Sequence, residues 1–271
     1  MKPIYFKYLS MNVRAVLEYR LSAWLIALGQ TFTTIFTFLG LVFLFRRFGS
    51  LAGWSFAEAA LCYGVTGMAF SISECFARGF DVFSPMVSQG EFDRVLLRPR
   101  SAIIQVLGAK TEVNRIGRIL VSFAILCMAV SRSGIAWSFP KIFTLVMMIL
   151  GGAAVFTGVF ILGATVCFFT IEGIEVINIF TDGGRELASY PLPVYGKWIT
   201  RFFTFIIPFG CMNYLPLLYI TGRAESSSIT DAPIIGVPVL YMLMPLLGFV
   251  FILPCILVWQ LGIRHYSSAG S

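Results

Sequence analysis

The sequence predicts an all-α polytopic membrane protein with six transmembrane helices. Hydrophobic residues make up 58% of the 271 positions and charged residues only 12%, and the mean hydropathy is +0.86. A soluble core of this size could not bury so much apolar surface. The apolar residues also form long uncharged runs, and about 20 such residues suffice for a helix to cross a bilayer.

Residues 1–21 have the pattern of an amphipathic helix. Phe6, Leu9, Val13 and Leu17 share one face, and basic side chains gather on the other. Such a helix lies along the membrane interface, where anionic lipids of the cytoplasmic leaflet attract its basic residues. We therefore expect an interfacial helix over residues 1–21. A basic flank that simply holds the N-terminus inside explains the same residues equally well.

Four spans follow from the uncharged runs in the first two thirds of the chain. Residues 22–45 form a run of 24 residues, which as a helix is about 36 Å long, enough for a hydrocarbon core of about 30 Å. Residues 57–73 form the second span, 119–137 the third and 142–171 the fourth. Residues 74–118, the charged interval, separate the second span from the third and are predicted to be in water.

The fifth span has two alternatives. In the first, residues 172–201 are a polar loop and residues 202–221 cross the membrane. In the second, residues 172–189 are a polar helix that faces protein, and residues 198–221 are a re-entrant pair interrupted by prolines. Backbone that is not helical is tolerated at membrane depth only where protein or a water-filled cavity satisfies its polar groups. Residues 172–189 or residues 199–221 therefore supply the fifth span.

The last span lies within residues 234–263, so both alternatives give six spans. Lys and Arg accumulate on the cytoplasmic side of membrane proteins. If the N-terminus is inside, most of the 20 Lys and Arg residues are cytoplasmic in either alternative. Both termini and the charged interval are therefore predicted to be cytoplasmic.

Motifs for catalysis, nucleotide binding or metal binding are missing from the sequence. It has no phosphate-binding G-x-x-x-x-G-K-[ST] loop and no H-E-x-x-H or G-x-S-x-G pattern. The one histidine, His265, is in the tail, and the six cysteines are single. The net charge of +7 reflects topology rather than nucleic-acid binding. Carboxylates deep in a span arise only in the second alternative, as Glu172, Glu175 and Asp182.

Two motifs carry a resemblance to a known family. The charged interval contains the pattern G-x-x-D-x-x-L-x-R-P, matched by Gly90, Asp93, Leu96, Leu97, Arg98 and Pro99. Further on, the pair Tyr190-Pro191 precedes the stretch IIPFGCMNYLPLLYITG at residues 206–222. With both motifs in this order, nearly the whole chain resembles the bacterial branch of the type-2 ATP-binding-cassette (ABC) exporter permeases.

The resemblance implies a single permease domain over residues 1–271, without enzymatic activity of its own, in the bacterial cytoplasmic membrane. Such permeases dimerise, with themselves or with a paralogue, and bind cytosolic ATPase subunits, which carry ATP and Mg²⁺. A short helix in the loop 74–118 would dock on the ATPase, and residues 190–222 would form re-entrant helices on the outer side. The coupling residues are then Gly90, Glu91, Asp93, Arg94, Leu97, Arg98 and Pro99. The re-entrant or translocation residues are Tyr190, Pro191, Pro208, Asn213 and Pro216.

The docking role also has a physical basis in the residues. Charged side chains such as Asp93 and Arg98 offer ion pairs to a partner, and Val95, Leu96 and Leu97 offer an apolar anchor. A proline at position 99 then disfavours further helix. A solvated basic loop that serves only topology is the alternative interpretation.

Two other function classes remain open at this stage. An ion-coupled secondary transporter would need buried ionisable residues and often has related halves. A membrane subunit that only anchors an assembly would transport nothing. Association with an ATPase subunit separates the permease from both.

Overall fold

The computed structural model describes residues 4–170, 178–223 and 238–266. In these ranges the chain is helical, and an isolated bridge between Leu51 and Trp54 is the only extended pairing. The α-helices are α1 Ile4–Glu18, α2 Arg20–Phe48, α3 Phe56–Asp81, α4 Phe83–Ser88, α5 Glu91–Leu96, α6 Ala102–Ala109, α7 Ile116–Arg132, α8 Phe139–Val166, α9 Gly184–Ala188, α10 Lys197–Phe205, α11 Leu215–Thr221, α12 Pro238–Leu243 and α13 Leu247–His265.

Five segments of the described chain are long and apolar enough to cross a membrane. They are Arg20–Phe48, Phe56–Ser88, Val113–Arg132, Phe139–Val166 and Val239–His265. A sixth crossing results if the bent pair Lys197–Phe205 and Gly210–Thr221 counts as one span. The predicted all-α polytopic fold is confirmed.

Helix α3 extends beyond the predicted second span into the charged interval. Its start is fixed by a capping box, in which the Glu58 carboxylate accepts from the Ser55 backbone N–H at 2.8 Å and the Ser55 hydroxyl accepts from the Glu58 N–H. The helix continues to Asp81, past the end of the predicted second span at residue 73. Arg78 pairs with Glu74 at i,i+4 and with Asp81 at i,i+3, and such pairs stabilise a helix.

Helix α7 likewise differs from the predicted third span of 119–137. It begins at Ile116, directly after a 3₁₀ turn at Val113–Arg115, and ends at Arg132. Both ends of the charged interval are therefore helical.

The helices bury two apolar cores at opposite ends of the bundle. The near core lies beside α4–α6 and the far core beside the connection between α2 and α3. Large near-core members are Phe70, Phe80, Phe83, Phe92, Phe156, Phe160, Phe209 and Trp259. Large far-core members are Leu41, Phe45, Trp54, Leu126, Met148, Tyr214 and Leu217.

Residues 178–223 pass between the two cores more than once. Phe180 packs on the near core and Leu187 on the far core. The chain then returns to the near core at Phe209 and ends in the far core through residues 214–220. The turn at Pro208 separates α10 from the following helix, and the two helices meet at 89°. Residues 202–221 are therefore not one straight span.

Candidate functional site

The segment between α3 and α7 forms a compact unit, the coupling segment (residues 83–109), on the near-core end of the bundle. Gly90 joins α4 to α5 with a φ of +70°, a backbone conformation that favours glycine over other residues. Gln105 of α6 donates to the carbonyl oxygens of Val95 and Arg100 at 3.1 and 3.2 Å. These bonds hold the turn that contains Pro99 against α6.

Phe92 anchors α5 to the transmembrane helices. Its side chain is fully buried, and its ring lies 5.0 Å from Phe83, 5.4 Å from Phe168 and 5.2 Å from Tyr266, measured between ring centroids. Trp259 of α13 completes this aromatic cluster. Phe92 was not predicted as a functional residue, because a single aromatic residue in a charged loop gives no sign of burial.

The coupling residues that the sequence predicted divide between two faces. Leu97 is 85% exposed and Leu96 42%. Exposed beside them are Glu91, Arg94, Arg98, Pro99 and Arg100. Val95, which was predicted to share the apolar surface with Leu96 and Leu97, is half-buried and packs against the near core. The outward apolar surface is therefore Leu96 and Leu97, surrounded by arginines.

Asp93 is turned partly toward the chain itself. It is half-buried and faces the hydroxyl of Tyr266, whose pKa is raised by burial and by the neighbouring carboxylate. Arg98 donates to the Tyr8 hydroxyl at 3.2 Å. Each of the two predicted partner-facing charges thus has a contact within this chain.

Helix α1 packs on the coupling segment. The side chain of Asn12 donates to the Gly108 carbonyl oxygen and to the Thr111 hydroxyl at 3.2 and 3.1 Å. A Cβ built at Gly108 would lie 2.9 Å from the Tyr8 ring, so α1 approaches α6 closely at a glycine. The predicted N-terminal helix is therefore connected to α6.

A buried ionic cluster lies where the charged interval meets the bundle. Glu74 is 3% exposed and pairs with Arg115 at 3.1 Å and with Arg118. Arg118 also donates to Gln30 of α2. The remaining members are Arg78, Asp81 and Glu112. The expectation that this entire interval meets water is wrong at its two ends, because three carboxylates and three guanidinium groups neutralise each other inside the protein.

The carboxylate of Glu112 lies at the edge of this cluster. Burial opposes its ionisation, but Arg115, Arg78 and Lys110 outweigh that effect and lower the pKa of Glu112. Arg115 approaches it to 2.7 Å. The carboxylate therefore remains charged at neutral pH.

A cavity opens next to the ionic cluster, between α2, α3, α7 and the segment around α9. Six of its ten lining residues carry a hydroxyl group, and Arg118, Arg185 and Glu186 also line it. The guanidinium groups of Arg118 and Arg185 lie 5.9 and 5.2 Å from the centre of the Phe70 ring. The hydroxyl residues are Thr33, Thr34, Thr37, Tyr63, Ser122 and Ser189. Arg118 was not predicted from the sequence to be an ionisable residue inside the bundle.

The residues predicted for the re-entrant segment lie inside the packing of this chain. Pro191, Pro208 and Pro216 are buried, and Tyr190 is half-buried in the far core. Asn213 is 2% exposed. Its amide donates to the Ala188 carbonyl at 2.6 Å and to the Thr66 hydroxyl at 3.0 Å, which fastens this segment to α3 and α9. Pro216 occupies the first turn of α11, so the break lies at Pro208 alone.

The other predicted carboxylates give no metal or catalytic site among the described residues. Asp182 is exposed, and Glu172 and Glu175 lie outside the described ranges. No group of three His, Cys, Asp or Glu residues in those ranges is close enough to hold a metal ion.

Comparison with known proteins gives one finding. The model of a family described as ABC-2 family transporter protein matches residues 31–270. Neither the comparison with curated proteins nor that with solved structures returns a match.

Proposed function

Since the chain belongs to the ABC-2 family of transporter proteins, we propose that it is the permease subunit of an ATP-driven exporter. The family assignment makes it a multi-pass membrane component of an ABC transporter without enzymatic activity. In our proposal two permease subunits, identical or paralogous, enclose the translocation path. Two cytosolic ATPase subunits bind ATP and Mg²⁺ and drive transport.

The observation that carries the proposal is the exposed surface of the coupling segment. Leu97 is 85% exposed, although α5 itself is fixed to the bundle by the buried ring of Phe92. Arg94, Arg98 and Arg100 surround it. An apolar side chain surrounded by cations suits a groove that has an apolar floor and an acidic rim. We assign this groove to the ATPase, with residues 90–99 as the docking element.

Two routes link the docking element to the transmembrane helices. Phe92 contacts Phe168, just after α8, and Trp259 of α13. Helix α6 lies so close to α3 that a Cβ at Gly79 would be 1.8 Å from the Val106 carbonyl oxygen. Because packed groups transmit displacement with little compression, a movement of α5 and α6 would reach α3, α8 and α13.

We place the near core on the cytoplasmic side of a bacterial inner membrane. This orientation leaves the coupling segment and both termini in the cytoplasm, in agreement with the distribution of basic residues. Helix α1 then lies at the inner interface. At the other end of the bundle, Arg223 donates to the Gly53 carbonyl oxygen at 3.1 Å, so residue 223 lies beside the connection between α2 and α3.

Residues 190–222 form the re-entrant element in this orientation. They leave the far core, reach the near core at Phe209 and return to the far core, which supports entry and exit on the outer side. We propose that this element and the cavity beside Arg118 and Arg185 border the translocation path. Tyr190, Pro191, Pro208, Asn213 and Pro216 shape the element from within, because they are buried or half-buried in one subunit.

An ion-coupled carrier is the competing function, since Glu74 is a buried carboxylate. Its salt bridges to Arg78, Arg115 and Arg118 give this carboxylate a structural role in the packing of α3 against α7 instead. The test is transport into sealed inverted vesicles that contain the permease and an ABC ATPase subunit from the same organism. We expect movement that requires ATP and persists when ionophores collapse the ion gradients. Movement that needs a gradient and no ATPase would identify a carrier, and stable assembly without any movement would identify an anchor.

A further inference from the structure

We propose that a groove between α2 and α7 binds one anionic phospholipid from the leaflet on the near-core side, with an acyl chain in the groove and the phosphate at Arg20. This inference rests on the membrane orientation proposed above. It assigns a ligand site that transport itself does not require.

The groove has the composition of an acyl-chain site. Its volume is about 610 Å³, within the range of about 300–1,000 Å³ typical of ligand sites. Its walls are almost entirely apolar. The side chains that form them include Ala23, Trp24, Ala27 and Leu28 of α2 and Ile116 and Leu120 of α7.

The depth of the groove fits one leaflet. It extends along α2 from Arg20 to Thr31, a helical rise of about 16 Å, and half of a bilayer core is about 15 Å thick. It closes where the two helices cross. A Cβ built at Gly117 would lie 2.4 Å from the Thr31 hydroxyl oxygen and 3.1 Å from the Ala27 carbonyl oxygen.

The charge at the mouth indicates an anionic headgroup. Arg20 is exposed, and its Nε donates to the Leu17 carbonyl oxygen at 3.1 Å. Its guanidinium forms no ion pair with a carboxylate of the described residues. Arginine binds phosphate through several N–H groups at once, so the Arg20 side chain suits a phosphate at the mouth of the groove.

A lipid explains the groove better than a second copy of the chain does. The rim residues Trp24, Leu28 and Leu120 are 68%, 49% and 62% exposed, so an apolar occupant is needed. A second copy would have to bring a carboxylate to Arg20 as well. A phospholipid carries both the acyl chain and the anionic group.

The experiment is native mass spectrometry of the purified full-length protein in detergent, titrated with phosphatidylglycerol or phosphatidylcholine. We expect each protein chain to retain one phosphatidylglycerol molecule tightly and phosphatidylcholine less tightly. Arg20→Gln should reduce the preference for phosphatidylglycerol roughly fivefold, the loss expected when one cation at the membrane surface is removed. Arg14→Gln is the matched control on α1, outside the groove, and should leave the preference unchanged. An equal loss in both variants would overturn the proposal in favour of general attraction to anionic surfaces.

A second pair of variants tests the acyl-chain position. Ala23→Phe fills the groove and should abolish retention, whereas Leu25→Phe, on the opposite face of α2, should not. Phosphatidylglycerol brominated on its acyl chains should quench the fluorescence of Trp24. The contribution of Trp24 is obtained by subtracting the fluorescence of the Trp24→Phe variant from that of the wild type. Undiminished retention in Ala23→Phe, or disulfide formation between subunits that each carry Leu28→Cys, would refute the site.

None of these measurements uses an ATPase or a transport assay. A negative lipid result therefore leaves the proposed exporter function intact. A negative transport result would likewise leave the lipid site intact.

Discussion

Glu74→Gln should lower the free energy of unfolding by about 3–5 kcal/mol, because removing one member of a buried ion pair leaves the other charge unpaired. Arg118 is the charge at stake, because Glu74 is its salt-bridge partner among the described residues, whereas Arg78 and Arg115 keep their contacts with Asp81 and Glu112. The Glu74 side chain is 3% exposed and that of Arg118 is 9% exposed, so bulk water has little access to the charge that is left behind. Glutamine has nearly the same volume, and the substitution therefore tests charge rather than packing.

The assay is unfolding of the purified protein from detergent micelles by increasing sodium dodecyl sulfate, followed by circular dichroism. Glu186→Gln is the matched control, because its partner Arg185 is close but the Glu186 side chain is 48% exposed. An exposed pair contributes only about 0–1 kcal/mol. If the loss arises from the unpaired charge of Arg118, the double variant Glu74→Gln/Arg118→Gln should regain part of the free energy of unfolding that Glu74→Gln loses.

Equal losses for Glu74→Gln and Glu186→Gln would refute the reasoning. They would mean that the bundle relaxes to admit water or lipid headgroups at the cluster. The ionic contacts would then not hold α2, α3 and α7 in a fixed arrangement.

Three further predictions concern the coupling segment and its borders. Phe92→Ala should lower the free energy of unfolding by about 3–5 kcal/mol in the same assay, the usual effect of removing a buried aromatic side chain. Leu96→Ala, at an exposed position, should lower it far less. Equal losses would contradict the anchoring role of Phe92. Replacing both Asp93 and Arg98 by neutral amides should leave the protein inserted but separate ATP hydrolysis from transport, and unchanged ATP-stimulated transport in vesicles would defeat that expectation. The pKa of Glu112 is lowered from its ordinary value of 4.5, so the ionised carboxylate contributes its full stability above pH 4.5 and loses it as the pH falls through the folded-state pKa. Glu112→Gln should therefore flatten the loss of stability in acid. An unaltered dependence of stability on pH would show that other groups cause it.

The long helices were predictable because each depends on local composition. An uncharged run long enough to cross a bilayer must form its backbone hydrogen bonds within itself, and α2 and α8 accordingly lie close to the predicted runs. The bend at Pro208 was also within reach, since proline removes a backbone donor and disfavours helix before it.

The ends of the second and third spans were not predictable from hydropathy. A charged residue lowers the mean hydropathy of its segment whether or not a partner of opposite charge neutralises it in the fold. Glu74 and Arg118 are 44 positions apart, and only the packing of α3 on α7 brings them together. Gln30 was noticed in the sequence as a single polar residue, but its partner Arg118 lay in another predicted segment.

The coupling segment was predictable in location and only partly in orientation. Its motif predicts a docking element at residues 90–99, but a helix of six residues is too short to show which side is buried. Burial of Phe92 and Val95 fixes that orientation and leaves Leu97 facing outward. Leu97 is therefore the apolar side chain most exposed among the predicted coupling residues.

The central claim is that Leu97 docks on an ABC ATPase, and the most direct test is the affinity between the permease in lipid nanodiscs and that ATPase subunit. Leu97→Asp should weaken binding at least about tenfold, the effect expected of an exposed apolar hot spot. Ala136→Asp, on the exposed connection between α7 and α8 at the far-core end, should leave the affinity unchanged. Equal affinities for the wild type and Leu97→Asp would contradict the account.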